Sequence, residues 1–299
     1  MDKVFDVTNE NEILKKVDLF IHGLNEGLHG LAIDFGFHLD DAWKDKKIFE
    51  LSGSISYRLY SSRFHFHLLY DQLVAFRKKH QALVNSPVPP ILHLEIDKQE
   101  HSSLMDSIIF HLSSVMDYAS ILVHYIISKN PKNVKWSSII KSAKDNTNIF
   151  SNEKGIEIKQ MIIEIDSDFG NALYVYRSEL IHNSNDVCSY NHSWDLMSEK
   201  VSLIFLCPKK VVKHFKKMGD KNDKYSITYF AQFVIFEAID SIRKIIASLR
   251  KYLADNLKEE DFVVSNKKPL IFFDKDGNRL GAVSIYNWME FDSIFTTTS

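Results

Sequence analysis

Four segments of this 299-residue chain repeat their apolar residues at the spacing of a helix face, which leaves packed helices as the main architecture. In the first, Leu59, Phe66, Leu69, Leu73 and Phe76 recur three, four or seven positions apart and predict one helix over 55–84. The stretch SPVPP at 86–90 stops it, because proline lacks a donor and restricts the residue before it. A second helix is predicted over 102–128, with Leu104, Ile108, Leu112, Val115, Ala119, Leu122 and Ile126 on one face, ended by Asn130 and Pro131. The third spans 156–182 behind a stripe of Ile162, Ile165, Phe169, Leu173, Tyr176 and Leu180. The fourth, 227–257, is apolar over much of its circumference and is predicted to be the most buried.

The remaining segments are shorter. Residues 137–143 predict a short helix before a polar loop. Residues 187–207 read as two short strands joined near Ser198 and Glu199. A second hairpin is predicted where Asp276 and Gly277 separate two β-rich runs. Residues 1–50 carry Gly23, Gly27, Gly30 and Gly36, each of which weakens a helix, so no element is assigned there. The expected fold is mainly α: an antiparallel helical bundle with two β-hairpin additions. Its parts are an N-terminal segment 1–54 packed on the bundle, the bundle 55–257 with the hairpin insertion 187–207, and a C-terminal hairpin extension 258–299.

Charge and composition exclude several functions. The net charge of −2 argues against a protein that coats nucleic acid non-specifically, and leaves room for a local basic patch. Two cysteines, Cys188 and Cys207, make no disulfide framework, so a reducing cytoplasm is expected. The first residues are acidic and polar, without the apolar core of a secretory signal. The densest apolar stretch, 229–239, is interrupted by Gln232 and Glu237, so no membrane association is expected. No phosphate-loop, dinucleotide-binding or nucleophile-elbow motif is present.

The chemistry concentrates in YRSELIHN, residues 176–183. Arg177 lies about 60–80° from the apolar stripe of an ideal helix, and His182 on the side opposite the stripe. Asn183 begins a run suited to ending the helix, which puts His182 in the last turn, where the helix dipole favours an imidazolium by about 0.3–1 kcal/mol. A histidine at a helix end needs no catalytic role, and the spacing alone is a poor detector. Arg58 and His65 satisfy a loose form of it too, but in mid-helix beside Phe64 and Phe66. His65 and His67 point to different sides of a helix and form no ready chelate.

Lys209, Lys210, Lys213, Lys216 and Lys217 form a basic run with His214 just after Pro208; it suits an RNA backbone, or a solvated helix face. Arg77, Lys78, Lys79 and His80 are a weaker run of the same kind. His182, Cys188, His192 and Cys207 are zinc-ligand types at a spacing that fits no tight zinc motif, so no metal is assigned.

The segment YRSELIHN, with the amphipathic IIFHLSSVMDYASILVHYI and the short WSSIIKSA before it, resembles the HEPN superfamily across about 55–257. Those domains are helical bundles that carry Arg, four to six residues, then His near the end of a long core helix. The resemblance implies a HEPN-like bundle acting as a metal-independent endoribonuclease without cofactor, in a toxin or phage-defence setting. Arg177 and His182 would be catalytic, Ser178 and Asn183 supporting, and the five lysines would contact RNA. His182 would move the proton of the ribose 2′-hydroxyl or of the leaving 5′-oxygen, and Arg177 would stabilise the phosphate. One histidine hardly serves as both base and acid, and the family's answer is a homodimer that joins two motif copies in one cleft. A protein antitoxin is the further partner implied. Many ribonuclease members place Asn, Asp or His after the arginine where this chain has Ser178. That departure favours the alternative, a non-catalytic HEPN-like dimer that binds nucleotide, RNA or a protein partner.

Overall fold

The protein is described by a computed structural model, which covers residues 4–7, 9–37, 46–83, 91–151, 155–182, 188–195, 200–220, 223–255, 271–273, 279–282 and 284–296. It is mainly helical. In chain order the elements are β1 (Val4–Phe5), α1 (Glu10–Phe37), α2 (Lys46–Leu83), α3 (Ile91–Ser128), α4 (Trp136–Lys144), α5 (Ile156–Ile165), α6 (Asn171–His182), β2 (Ser189–Asp195) and β3 (Lys200–Leu206). There follow α7 (Lys209–His214), β4 (Lys224–Tyr225), α8 (Ile227–Asp255), β5 (Ile271–Phe273), β6 (Arg279–Ala282) and α9 (Ile285–Thr296).

The chain forms two compact units, each assembled from three stretches of sequence. The first comprises Met1–Val17, Arg58–Ser113 and Ser167–Ala238. Its core gathers Phe66, Leu69, Tyr70 and Leu73 of α2, Ile108, Ile109 and Leu112 of α3, and Leu173 and Tyr176 of α6, all essentially without solvent contact. Around Phe215 the rings of Phe169, Tyr176, Phe230 and Phe233 stand 5.4–6.1 Å away, the separations favoured by tilted aromatic pairs. β1 pairs in parallel with β4, and Phe5 stacks on Tyr225 at 5.0 Å. Arg77 reaches both Glu10 (2.8 Å) and Asp6 (3.7 Å), so the first member of its basic run is an ion-paired strut.

The second unit comprises Asp18–Tyr57, Ser114–Asp166 and Ile239–Ser299. Here the glycines of α1 explain themselves. Gly23, Gly27 and Gly30 fall on one face, and α9 lies across it. A Cβ on Gly27 would sit 2.5 Å from the Phe291 ring, and one on Gly30 2.8 Å from Trp288. The close approach is locked by polar contacts: Trp288 Nε1 and the Ser284 hydroxyl donate to Asp34, and Arg250 grips both oxygens of Asp292 at 3.0 Å while lying over the Trp288 ring. The first fifty residues therefore hold a 28-residue helix in a stretch whose glycines weaken the helix signal and to which the sequence alone assigns no element. Glycine's cost in a helix is about 1 kcal/mol, and burying one aromatic side chain returns roughly 1.5–3 kcal/mol.

Other expectations hold with shifted limits. α2 begins nine residues before the predicted Ile55, and α3 eleven before the predicted Ser102, both in stretches where the apolar repeat is diluted by polar residues. Within the predicted single helix over 156–182, Asp166–Gly170 winds as a π turn between α5 and α6. There the buried Asp166 accepts from Trp136 Nε1 at 3.0 Å and from Lys144 at 3.3 Å. Both hairpins form, β2 with β3 in antiparallel register from Ser189↔Leu206 to Asp195↔Lys200, and β5 with β6. The predicted turn at Asp276 and Gly277, like the proline stretch 86–90, lies outside the described residues. Among the described residues one helix, Leu94–Ser128, is long and apolar enough to cross a membrane by length and composition alone, and more than half of its most apolar window is buried within the protein.

Candidate functional site

The motif helix α6 is held by its inward residues. Leu173 and Tyr176 are buried, and Tyr174 donates from its hydroxyl to the Ser113 carbonyl at 3.0 Å. The opposite face is open: Val175 (38%), Ser178, Ile181 (51%) and His182 are all exposed, at positions that share one side of a helix. His182 thus lies where the stripe argument puts it, away from its own core.

Arg177 takes a different environment. It is half-buried, with its guanidinium 5.9 Å from the centre of the Phe110 ring on α3, and its Nε is sealed from solvent without a hydrogen-bond partner. Five positions separate Arg177 from His182, which turns the two side chains about 140° apart around the helix and about 7.5 Å along it. One copy of α6 therefore does not aim both groups at a common point. Asn183 lies outside the described residues.

The lysine run falls beside this helix. α7 packs on α6, where His214 Nε2 approaches Glu179 Oε2 at 3.0 Å, an ion-pair separation whose angles do not make a full hydrogen bond. Lys210 and Lys213 are exposed on α7, as is Lys216 in the 3₁₀ turn that follows. None of these three has an ion pair among the described residues. Lys217 differs, since it is bound to Asp168 at 2.6 Å and lies 3.9 Å from Glu237, so its charge is largely spent internally. Lys209 opens α7, and its side chain is outside the described residues. The arrangement offers one guanidinium with an unmet N–H, one solvent-facing imidazole and three open ammonium groups on adjacent elements. Phosphate is the common chemical partner of that set. Comparison with family models, with curated proteins and with solved structures returns no match. The site stands on its own geometry.

Sequence reasoning did not find the other groups that set it. Phe110 and Ser113 on α3 receive Arg177 and Tyr174, and Glu179 ties α6 to α7. No local pattern announces these pairings, which depend on how helices far apart in sequence align. Cys188 is a packing residue: its Sγ lies 3.3 Å from the Lys98 carbonyl, and burial pushes its thiol up to about 11, which leaves it protonated and unreactive at neutral pH. Cys207 is likewise buried and in no disulfide. The side chain of His192 lies outside the described residues.

Proposed function

We propose that this protein is a metal-independent endoribonuclease of HEPN type that works as a homodimer. The observation that carries the reading is the open face of α6. Val175, Ile181 and His182 stand in solvent on one side of the motif helix, and two unburied aliphatic residues beside a histidine suit coverage by a second copy. A two-fold pairing through this face brings two His182 toward one groove, with an Arg177 of each copy at its flank. One His182 then accepts the proton of a ribose 2′-hydroxyl as its oxygen attacks phosphorus. The other gives a proton to the leaving 5′-oxygen as the old P–O bond breaks. Arg177 offers its guanidinium to the phosphate, and Lys210, Lys213 and Lys216 hold the flanking backbone.

Incubation of the purified protein with RNA in EDTA tests this. Cleavage that leaves 2′,3′-cyclic phosphate ends, and that His182→Ala lowers about 10²-fold or more, is the expected result. Strict dependence on added metal, or full activity in His182→Ala, returns the site to the alternative, a dimer that binds nucleotide, RNA or a protein without cutting. In a toxin or phage-defence setting, expression of the active form slows growth and a protein antitoxin relieves it.

A further inference from the structure

A cleft opens within the second unit, where the end of α3, the helix α4 and the 3₁₀ turn Asn148–Phe150 come together. It has two adjoining parts, of about 180 and about 420 Å³, which share His124, Lys132, Asn148 and Ile149. The larger part falls in the range of small-molecule sites, about 300–1,000 Å³. Its walls follow from local sequence. Ser138 and Ser142 stand four residues apart on α4, so both lie on the side that lines the cleft. Asn148 takes φ 56°, a conformation that asparagine tolerates better than most residues, and its Nδ2 donates to Ser142 Oγ at 2.8 Å. The Ser142 oxygen is thereby an acceptor, and its own proton is left to bond into the cleft. The side chains of Lys132, Asn133 and Ser138 make no hydrogen bond or ion pair with a described residue.

The lining is rich in donors and poor in negative charge. No carboxylate lines the cleft among the described residues. Lys129 and Lys135 flank Lys132 on the same connection, and all three are exposed without an ion pair among the described residues. Three residues of chain keep each neighbour within about 10 Å of Lys132, a distance at which physiological salt leaves part of their field. His124 registers that field. Desolvation lowers its proton affinity, a bond to the Asn130 backbone opposes this, and the charge of Lys132 lowers it further. An anion beside Lys132 would reverse that last effect.

The rest of the wall sets the organic part of the ligand. Val134, Ile139 and Ile149 are aliphatic, and no aromatic ring lines the cleft among the described residues, so a nucleobase has no face to stack on. Asn133 offers a whole amide and Asn148 its Oδ1, groups that match hydroxyls acting as both donor and acceptor. We propose that this cleft binds a small sugar phosphate, with the phosphate on Lys132, Ser138 and Ser142 and the sugar hydroxyls on Asn133 and Asn148. The site lies on neither α6 nor α7 and does not depend on RNA cleavage.

The test follows the imidazole signals of the full chain by NMR, with His124 assigned through His124→Gln, during titration with glucose 6-phosphate, glucose, inorganic phosphate and AMP. Glucose 6-phosphate should shift the His124 signals to saturation. Inorganic phosphate and AMP should each bind about tenfold more weakly, and glucose should leave His124 in place. Lys132→Gln and Ser138→Ala should each raise the Kd for glucose 6-phosphate about tenfold, since a hydrogen bond to a charged group is worth roughly that factor or more. Both side chains are exposed, so the fold should survive their loss, which circular dichroism checks. The proposal is overturned if glucose 6-phosphate leaves His124 unmoved up to about 10 mM, or if either variant stays within twofold of the parent. It is overturned equally if glucose, inorganic phosphate or AMP binds as tightly as the sugar phosphate. None of these outcomes bears on whether the chain cuts RNA, so the two ideas fail separately.

Discussion

Arg177 holds a buried Nε without a hydrogen-bond partner, and its visible compensation is a distant contact with the Phe110 ring. An unmet buried donor costs about 1–3 kcal/mol, whereas a cation over an aromatic ring at a partly exposed site returns about 0.5–1 kcal/mol. The balance is unfavourable, so Arg177 is expected to be worth more to function than to folding. Arg177→Met should leave the melting temperature unchanged or higher while cleavage falls about 10²-fold or more. Arg177→Lys should rescue little, since an ammonium cannot make the forked contact with phosphate. A variant that loses both stability and cleavage in step would make Arg177 a structural residue.

His101 is a residue whose effect runs the other way. It is buried on α3 between Phe76 and Phe205, and neither ring nitrogen makes a hydrogen bond. Desolvation holds its proton affinity below the ordinary value, and neighbouring Asp97 pulls upward without reversing this. A lowered folded pKa means that the unfolded chain binds more protons once pH drops below about 6.5. Stability from this residue is therefore full above that pH and declines as pH falls toward the folded value. Thermal melts between pH 7.5 and 5 should show that decline, and His101→Leu should flatten it. Equal slopes for the two proteins would show that other groups control the acid limb.

At the scale of elements, the glycines allow a paired test. Gly27 faces Phe291 with no room for a methyl group, while nothing lies within 4 Å of a Cβ on Gly53 in α2. Alanine at an open helix position gains about 0.5–1 kcal/mol over glycine. Overpacking costs about 1–3 kcal/mol. Urea titrations should accordingly find Gly53→Ala more stable and Gly27→Ala less stable than the parent; the same sign for both would mean that α9 does not seat on α1 as described. This contrast also explains what the sequence left hidden. Helices whose stripe is dense and continuous, such as α8 with Phe230, Val234, Ile235, Ile239, Ile242 and Ile246, were legible from periodicity. So were α4 and both hairpins. α1 was not, because propensity scores each glycine alone and says nothing of the Trp288 and Phe291 that fill the space some 260 residues later. The π turn at Asp166 was hidden for a similar reason, as its polar partners Trp136 and Lys144 come from another helix. In the candidate site, the exposure of His182 followed from the angle between it and the stripe. The burial of Arg177 against Phe110 did not, since it depends on the alignment of α3 with α6.

For the whole molecule, the proposed activity stands or falls with assembly. Arg177 and His182 diverge on α6, so one chain presents a phosphate-binding group and a proton-transfer group in different directions. A two-fold partner is the simplest source of the missing half. Its contact face includes Ile181, which is 51% exposed and makes no contribution to the core of its own chain. Ile181→Asp should therefore leave the monomer folded while placing a charge where two copies would meet, and burying an unpaired carboxylate costs several kcal/mol. Light scattering should report twice the chain mass of 34.7 kDa for the parent and the single-chain mass for the variant. RNA cleavage should disappear together with the dimer, although Arg177 and His182 are both still present. Retained cleavage by a monomeric Ile181→Asp protein would mean that one copy of α6 suffices, and that the proton donor for the leaving oxygen comes from elsewhere in the same chain. His214, held against Glu179 on the neighbouring helix, would then be the first group to replace.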